Sequence, residues 1–186
     1  MIKATKSGGT GENLYGDGAF PFTLTGCTAK MGEKFETKEA VPQCTLIYRD
    51  TDGDSFEEKF VSIPKNFGIN DKAKLVERIA SVLNKSAKQL ADEGDDSRLE
   101  FDAGPNVDSF EDFYSELASG REIKLGISYA GESIFGKACQ LQIETSEKGW
   151  AKVRGSMPAA STPAKRKNSV LPVEITTQNT AHEAAF

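Results

Sequence analysis

From Phe20 to Met157 the chain repeatedly places apolar residues at every second position, and this period of two constrains its fold more than any other feature. Such a period puts successive side chains on opposite faces of a strand, so each run can bury one face and leave the other wet. Phe22, Leu24 and Gly26 alternate with Thr23 and Thr25. In the run from Lys38 to Arg49, Val41, Gln43, Thr45 and Ile47 lie on one side and Cys44, Leu46 and Tyr48 nearer the other. Phe56, Glu58 and Phe60 alternate with Glu57, Lys59 and Val61. Asp50-Thr51-Asp52-Gly53-Asp54 joins these last two runs, and Asp-Gly between alternating segments predicts a β-hairpin. Further on, Ile123, Leu125, Ile127 and Tyr129 form one run and Cys139, Leu141 and Ile143 another. After the turn Glu147-Lys148-Gly149, Trp150–Met157 returns with Ala151 and Val153 facing one way and Trp150, Lys152 and Arg154 the other.

Two segments change period. Leu75, Val76, Ile79, Val82, Leu83 and Leu90 recur at helical spacing and predict an amphipathic helix over roughly 71–90, capped by Asn70 or Asp71. Lys72, Lys74, Arg78, Lys85 and Lys88 fall mostly on its other, solvated faces. Phe110, Phe113, Tyr114 and Leu117 form a second stripe, with Ser109 and Asp112 at capping-box spacing and Gly120 as the stop. Residues 92–105 between them read as a polar loop. The sum is an α+β, mainly β domain over 19–158, preceded by a Gly-rich flexible arm over 1–18. A Pro/Ala/Lys-rich tail over 159–186 holds too little apolar surface to offset its chain entropy and is expected to be disordered.

Catalytic chemistry finds little to work with. The three cysteines, Cys27, Cys44 and Cys139, are far apart, and the single histidine, His182, lies in the tail. Zinc sites need close Cys/His pairs, and a nucleophile needs a base in an ordered core. Asp50-Thr51-Asp52-Gly53-Asp54 has part of a calcium-loop pattern, but Val61 stands where the closing Glu belongs. The Gly-x-Gly patterns near Gly9 and Gly16 follow no strand and precede no Lys-Ser/Thr. A non-enzymatic protein without metal or cofactor is expected. A Mg²⁺ site in the acidic stretch remains as the enzymatic alternative. No apolar run is long enough to span a bilayer, and Met1–Lys6 precedes no apolar stretch, so a cytoplasmic protein is expected.

Net charge is −5, but residues 92–116 carry ten acidic side chains against Arg98 alone, and the remainder is slightly basic. The best-known fold of this size and strand count is the oligonucleotide-binding, or OB, barrel, of about five strands with one or two helices. Such barrels hold single strands by stacking bases on aromatic rings and meeting phosphates with Lys or Arg. Trp150, Lys152 and Arg154 offer that chemistry on one strand face. Lys30, Lys34, Phe35 and Lys38, in the connection between the first two strands, are expected to form the opposite wall, with Tyr48 and Arg49 beside it. The plainer reading makes Trp150 a rim residue and these cations solvated.

The stretch Gly136–Glu144, led by Gly136-Lys137, then Glu147–Arg154, led by Glu147-Lys148-Gly149-Trp150, then Pro158, resembles the C-terminal strands of a bacteriophage family of OB-fold single-stranded-DNA-binding proteins. The layout of 20–158 is similar; the motif covers about twenty residues, and the acidic insertion near 92–112 departs from it. The resemblance implies a protein of phage replication or recombination that protects single-stranded DNA in the host cytoplasm, with Lys137 joining the site residues. It leaves room for a homo-oligomer, and for a replication or recombination partner held by the tail through Phe186. The alternative is a virion structural or protein-interaction module that binds no nucleic acid.

Overall fold

The alternation that begins near Phe20 continues well past Gly26, and the first strand, β1, spans the sixteen residues Gly18–Glu33 of a computed structural model that describes residues 13–93 and 98–159. Lys30 therefore lies within this strand and not in the connection that follows it. Phe20, Phe22 and Leu24 enter the core; a bulge between Leu24 and Gly26 shifts the phase, and Cys27 and Ala29 continue inward. Gly26, expected beside Leu24 on the inner face, instead lies against outward Ile47. The second strand, β2 (Ala40–Asp50), pairs along almost all of β1. The expected hairpin then forms: Asp50 Oδ1 accepts from the backbone N–H groups of Asp52 and Asp54 at 2.9 Å each, Gly53 takes φ +86°, and β3 (Ser55–Ser62) returns.

A second bulge, in β3, overturns the simple alternation. Leu46 pairs with Glu58 and Cys44 with Val61, so Lys59 and Phe60 together face Thr45. Glu58 and Val61 both point inward, whereas Phe60, expected alongside Phe56 and Glu58, is 68% exposed. The single helix expected over 71–90 is two: α1 (Lys74–Val82) and α2 (Ala87–Asp92). Asn84 at φ +59° breaks them, and Ser86 restarts the chain with a reciprocal capping box to Gln89. Neither Asn70 nor Asp71 caps α1; its N-cap is Ala73. Inside the expected polar loop lies a strand, β4 (Leu99–Asp102). Ser109 caps α3 (Phe110–Ala118), accepting from the Asp112 N–H at 3.1 Å.

The run from Ile123 to Tyr129 divides at Leu125. Its first part, β5 (Ile123–Lys124), pairs with β1 at Thr28 and Ala29. Its second, β6 (Gly126–Tyr129), joins β4 and β7 (Glu132–Ser133) in a small sheet of order β4-β6-β7. The chain then returns through β8 (Ala138–Thr145) and β9 (Ala151–Pro158). The larger sheet has the order β3-β2-β1-β8-β9, all antiparallel. β8 pairs with Gly18–Thr23 of β1 and β5 with its later half; the Gly26 bulge lies between, where a strand serving two neighbours must bend.

This order leaves β3 and β9 as the two edges, and α1 packs on both. The link is a buried ionic centre. Arg78, expected on a solvated helix face, is 1% exposed. Its Nε donates to Glu58 Oε2 at 2.9 Å and its Nη2 to Glu58 Oε1 at 2.8 Å. Nη1 lies 2.9 Å from Glu77 Oε1, as an ion pair without an aligned hydrogen bond. Glu77 Oε1 in turn accepts from the Ser156 N–H of β9 at 3.0 Å. Burial alone would lower the Arg78 pKa, but the Glu58 hydrogen bonds and charge outweigh it and raise it. One helix thus ties together edges that the backbone ladder leaves apart.

The end of the expected arm is packed. The Asn13 N–H donates to Gly149 O at 2.8 Å, the Tyr15 hydroxyl donates to Asp50 Oδ2 at 2.9 Å, and the Tyr15 ring meets Phe20, Phe22 and Phe56. Residues 1–12, and the expected tail from residue 160 on, lie outside the described residues. No helix among the described residues is long and apolar enough to cross a membrane.

Candidate nucleic-acid interface

Because β1 is bordered on both sides along much of its length, its outward face forms the axis of a broad sheet surface. Thr23, Thr28 and Lys30 lie on that face, next to Arg49, Thr45 and Gln43 of β2 in the same order. Thr28 also meets Lys124 of β5, and Thr23 meets Ala138 of β8, one residue beyond Lys137. Lys30, Arg49 and Lys124 are exposed and form no ion pair among the described residues. Arg49 and Ala138 stand two strands apart, about 10 Å.

The aromatic residues occupy the two ends of this axis. At one end is the β1–β2 connection, residues 34–39. There the Lys34 N–H donates to Glu39 O at 2.9 Å, and the Lys34 Nζ pairs with Glu39 Oε2 at 2.6 Å. The closed loop holds the Phe35 ring in solvent, 91% exposed, with the Lys38 Nζ 5.5 Å from its centroid. At the other end is the β8–β9 turn. The Ser146 N–H donates to Trp150 O at 2.8 Å, and the Trp150 N–H donates back to Ser146 Oγ at 3.0 Å. Trp150 is 45% exposed, and the Lys148 Nζ lies 5.6 Å from its ring. An exposed ring with a cation at its face is the pairing that base stacking and phosphate contact require.

The sequence-predicted residues therefore divide into groups. Lys152 and Arg154 are exposed on the last strand beside inward Val153, with Arg154 the extra residue of a bulge, whereas Trp150, expected on the same strand face, precedes the strand in the β8–β9 turn. Arg154 is engaged by Glu144 at 2.6 Å, while Lys152 has no ion pair among the described residues. Lys137 pairs with Glu132 at 3.7 Å. Phe35, Lys34 and Lys38 do not form an opposite wall. They lie beyond the end of β1, whose sixteen residues separate them from the β8–β9 turn by up to about 50 Å. Arg49 is not beside them either, since β2 begins at that loop and ends at Arg49 and Asp50.

Tyr48 is removed from the site altogether. It faces inward and is 1% exposed, its ring against Phe22 and Phe56. Burial, then the neighbouring Glu58 charge, pushes its hydroxyl well above the ordinary tyrosine range. Sequence reasoning missed Lys124, Lys148 and Phe60 as members of the surface. Lys148 was legible as the neighbour of Trp150; Phe60 was not, because its bulge reverses the face that alternation assigns it.

The acidic residues divide: Glu39 and Glu144 pair with cations of the surface itself, Glu116 and Glu122 line a pocket with Lys124, and others are held elsewhere. α3 buries Phe113 and Leu117 in the core on the inner side of β1, and its Glu111 and Asp112 are exposed there. Glu100 and Asp102 belong to the small sheet. No family model, curated protein or solved structure matches this chain.

Proposed function

We propose that this chain binds single-stranded DNA, as a protective protein of a phage-type replication or recombination system working in the host cytoplasm. The observation that carries the reading is the outer face of β1. It has an exposed aromatic–cation pair at each end, Phe35 with Lys38 and Trp150 with Lys148, and between them Lys30, Lys124 and Arg49, which form no ion pair among the described residues. A flexible single strand follows such a line of rings and cations; a duplex cannot unstack its bases to meet the rings. The net acidity of the chain is partly kept off this face, since Glu111 and Asp112 are exposed on a helix packed on the inner side of β1; Glu116 of the same helix lines a pocket with Lys124. The binding is non-enzymatic: stacking holds bases and ammonium or guanidinium groups hold phosphates.

Fluorescence anisotropy with labelled oligo-dT at two salt concentrations, against a duplex of equal length, tests it. Single strands bind in preference to duplex, and affinity falls with salt at a slope of about −0.7 per phosphate neutralised. Absence of oligo-dT binding at low salt refutes the reading and returns the chain to a virion or protein-interaction module.

A further inference from the structure

Phe60 combines two features that a folded protein normally avoids. Its ring is 68% exposed, and its backbone sits at φ +62°, where a bulky side chain is strained. The bulge itself has a structural purpose: it lets Glu58 reach Arg78 while Val61 still turns into the core. That purpose needs an extra residue at position 60, and glycine would supply it without strain or exposed apolar surface. Packing therefore does not account for the benzyl group.

Its position does suggest an account. The bulged pair Lys59 and Phe60 faces Thr45, Thr45 faces Thr28, and Thr28 faces Lys124. This row crosses the outer sheet from β3 to β5, midway between Phe35 and Arg49. Lys30 lies two residues along β1 from Thr28, about 7 Å away. The ring at the edge of the row thus faces a surface whose middle is Thr side chains and whose far and near cations, Lys124 and Lys30, are unpaired among the described residues. We infer that the β3 bulge presents Phe60 as a stacking platform for an unpaired base, with Lys30 and Lys124 receiving the flanking phosphates. This deepens and rests on the single-strand reading above. The occupant is a nucleic acid and not a protein because the row beside the ring is polar, with Lys59 held to Glu57 at 3.3 Å and the cations Lys30 and Lys124 beyond it; half-buried Val41 and Ile47 are the apolar residues on that face of β2.

The test uses the full chain carrying Phe60→Gly, Phe60→Ala or Phe60→Trp, with fluorescein-labelled oligo-dT of roughly 16 nucleotides. Phe60→Gly and Phe60→Ala lose roughly 5- to 150-fold in affinity, the equivalent of one stacked base, and Phe60→Trp binds at least as tightly as the parent. Urea unfolding is the control: Phe60→Gly, released from strain, unfolds at a urea concentration no lower than the parent and higher than Phe60→Ala. If the parent binds oligo-dT with the expected salt dependence and Phe60→Gly binds equally well, the platform is refuted while the single-strand reading stands. If the parent binds no oligo-dT, both fall. Concentration-dependent dimerisation lost in Phe60→Gly, with DNA affinity unchanged, overturns the inference in favour of a second copy of the chain.

Discussion

Replacing Arg78 by Met tests the claim that a buried ionic centre closes the sheet. Arg78 is 1% exposed and Glu58 8%, and two aligned hydrogen bonds of 2.9 and 2.8 Å join them. Arg78→Met keeps an unbranched apolar stem, two atoms shorter than Arg, but strands the Glu58 carboxylate among Tyr48, Cys44 and Leu46. Removing one partner of a buried pair costs about 3–5 kcal/mol, because the remaining charge loses its compensation without regaining water. With a urea m-value of about 1–3 kcal/mol/M for a small domain, the midpoint falls by roughly 2 M. The reverse follows for the pair. Arg78→Met with Glu58→Met removes both charges, and such apolar replacements range from neutral to about 1–4 kcal/mol stabilising. Circular dichroism against urea, read on the parent, both single variants and the double variant, gives the coupling directly. The reasoning is refuted if Arg78→Met unfolds within about 1 kcal/mol of the parent, or if the double variant is no more stable than the single one.

Three further outcomes are expected. Trp150, the single tryptophan, is quenched when oligo-dT binds, and Trp150→Ala costs about 1–3 kcal/mol of affinity; a folded variant of unchanged affinity makes Trp150 a rim residue only. The three cysteines are buried, with the Cys139 thiol pushed up to about 12 by burial and Cys44 raised by its hydrogen bond with Cys27 and by burial. A thiol reagent at mildly alkaline pH therefore leaves the folded protein almost unreacted and titrates all three in urea, and rapid native labelling contradicts the burial. The Lys85 ammonium, which pairs with Glu93 and donates to the Tyr129 hydroxyl at 2.6 Å, holds the Glu93 carboxyl below its ordinary range. A depressed carboxyl stabilises the fold above its unfolded pKa and loses that contribution as pH falls through the folded value. Glu93→Gln is accordingly less stable than the parent at neutral pH and equal to it in strong acid; a gap that persists in acid removes ionisation as its cause.

Much of the fold was legible where a strand or helix kept one period from end to end. Cys139, Leu141 and Ile143 face inward along β8 as their alternation requires, and Phe113 and Leu117 anchor α3 beneath its Ser109 cap. The helix periodicity over 71–90 located the buried apolar residues Leu75, Val76, Ile79, Val82 and Leu90 but neither the burial of Arg78 nor the break, because Asn84 and the Ser86 capping box are local backbone events within a continuous apolar stripe. The run ending at Tyr129 read as one strand, yet its two halves pair in different sheets. Nothing in an alternating pattern records which partner each half will find.

The candidate surface shows the same division. The sequence by itself determined that the chain would be mainly β, that Val153 would face away from Lys152 and Arg154, and that Phe35 and Trp150 would stand among cations. Those properties follow from side-chain period and from neighbours a few residues away. Only the tertiary structure decided that Phe35 and Trp150 lie beyond opposite ends of β1, that Tyr48 is interior, that Arg78 is buried against Glu58, and that Phe60 is turned outward. Each depends on register between strands or on a partner at least twenty residues distant. A bulge of one residue exchanges inside for outside, and the residues that fix its place are on the neighbouring strand.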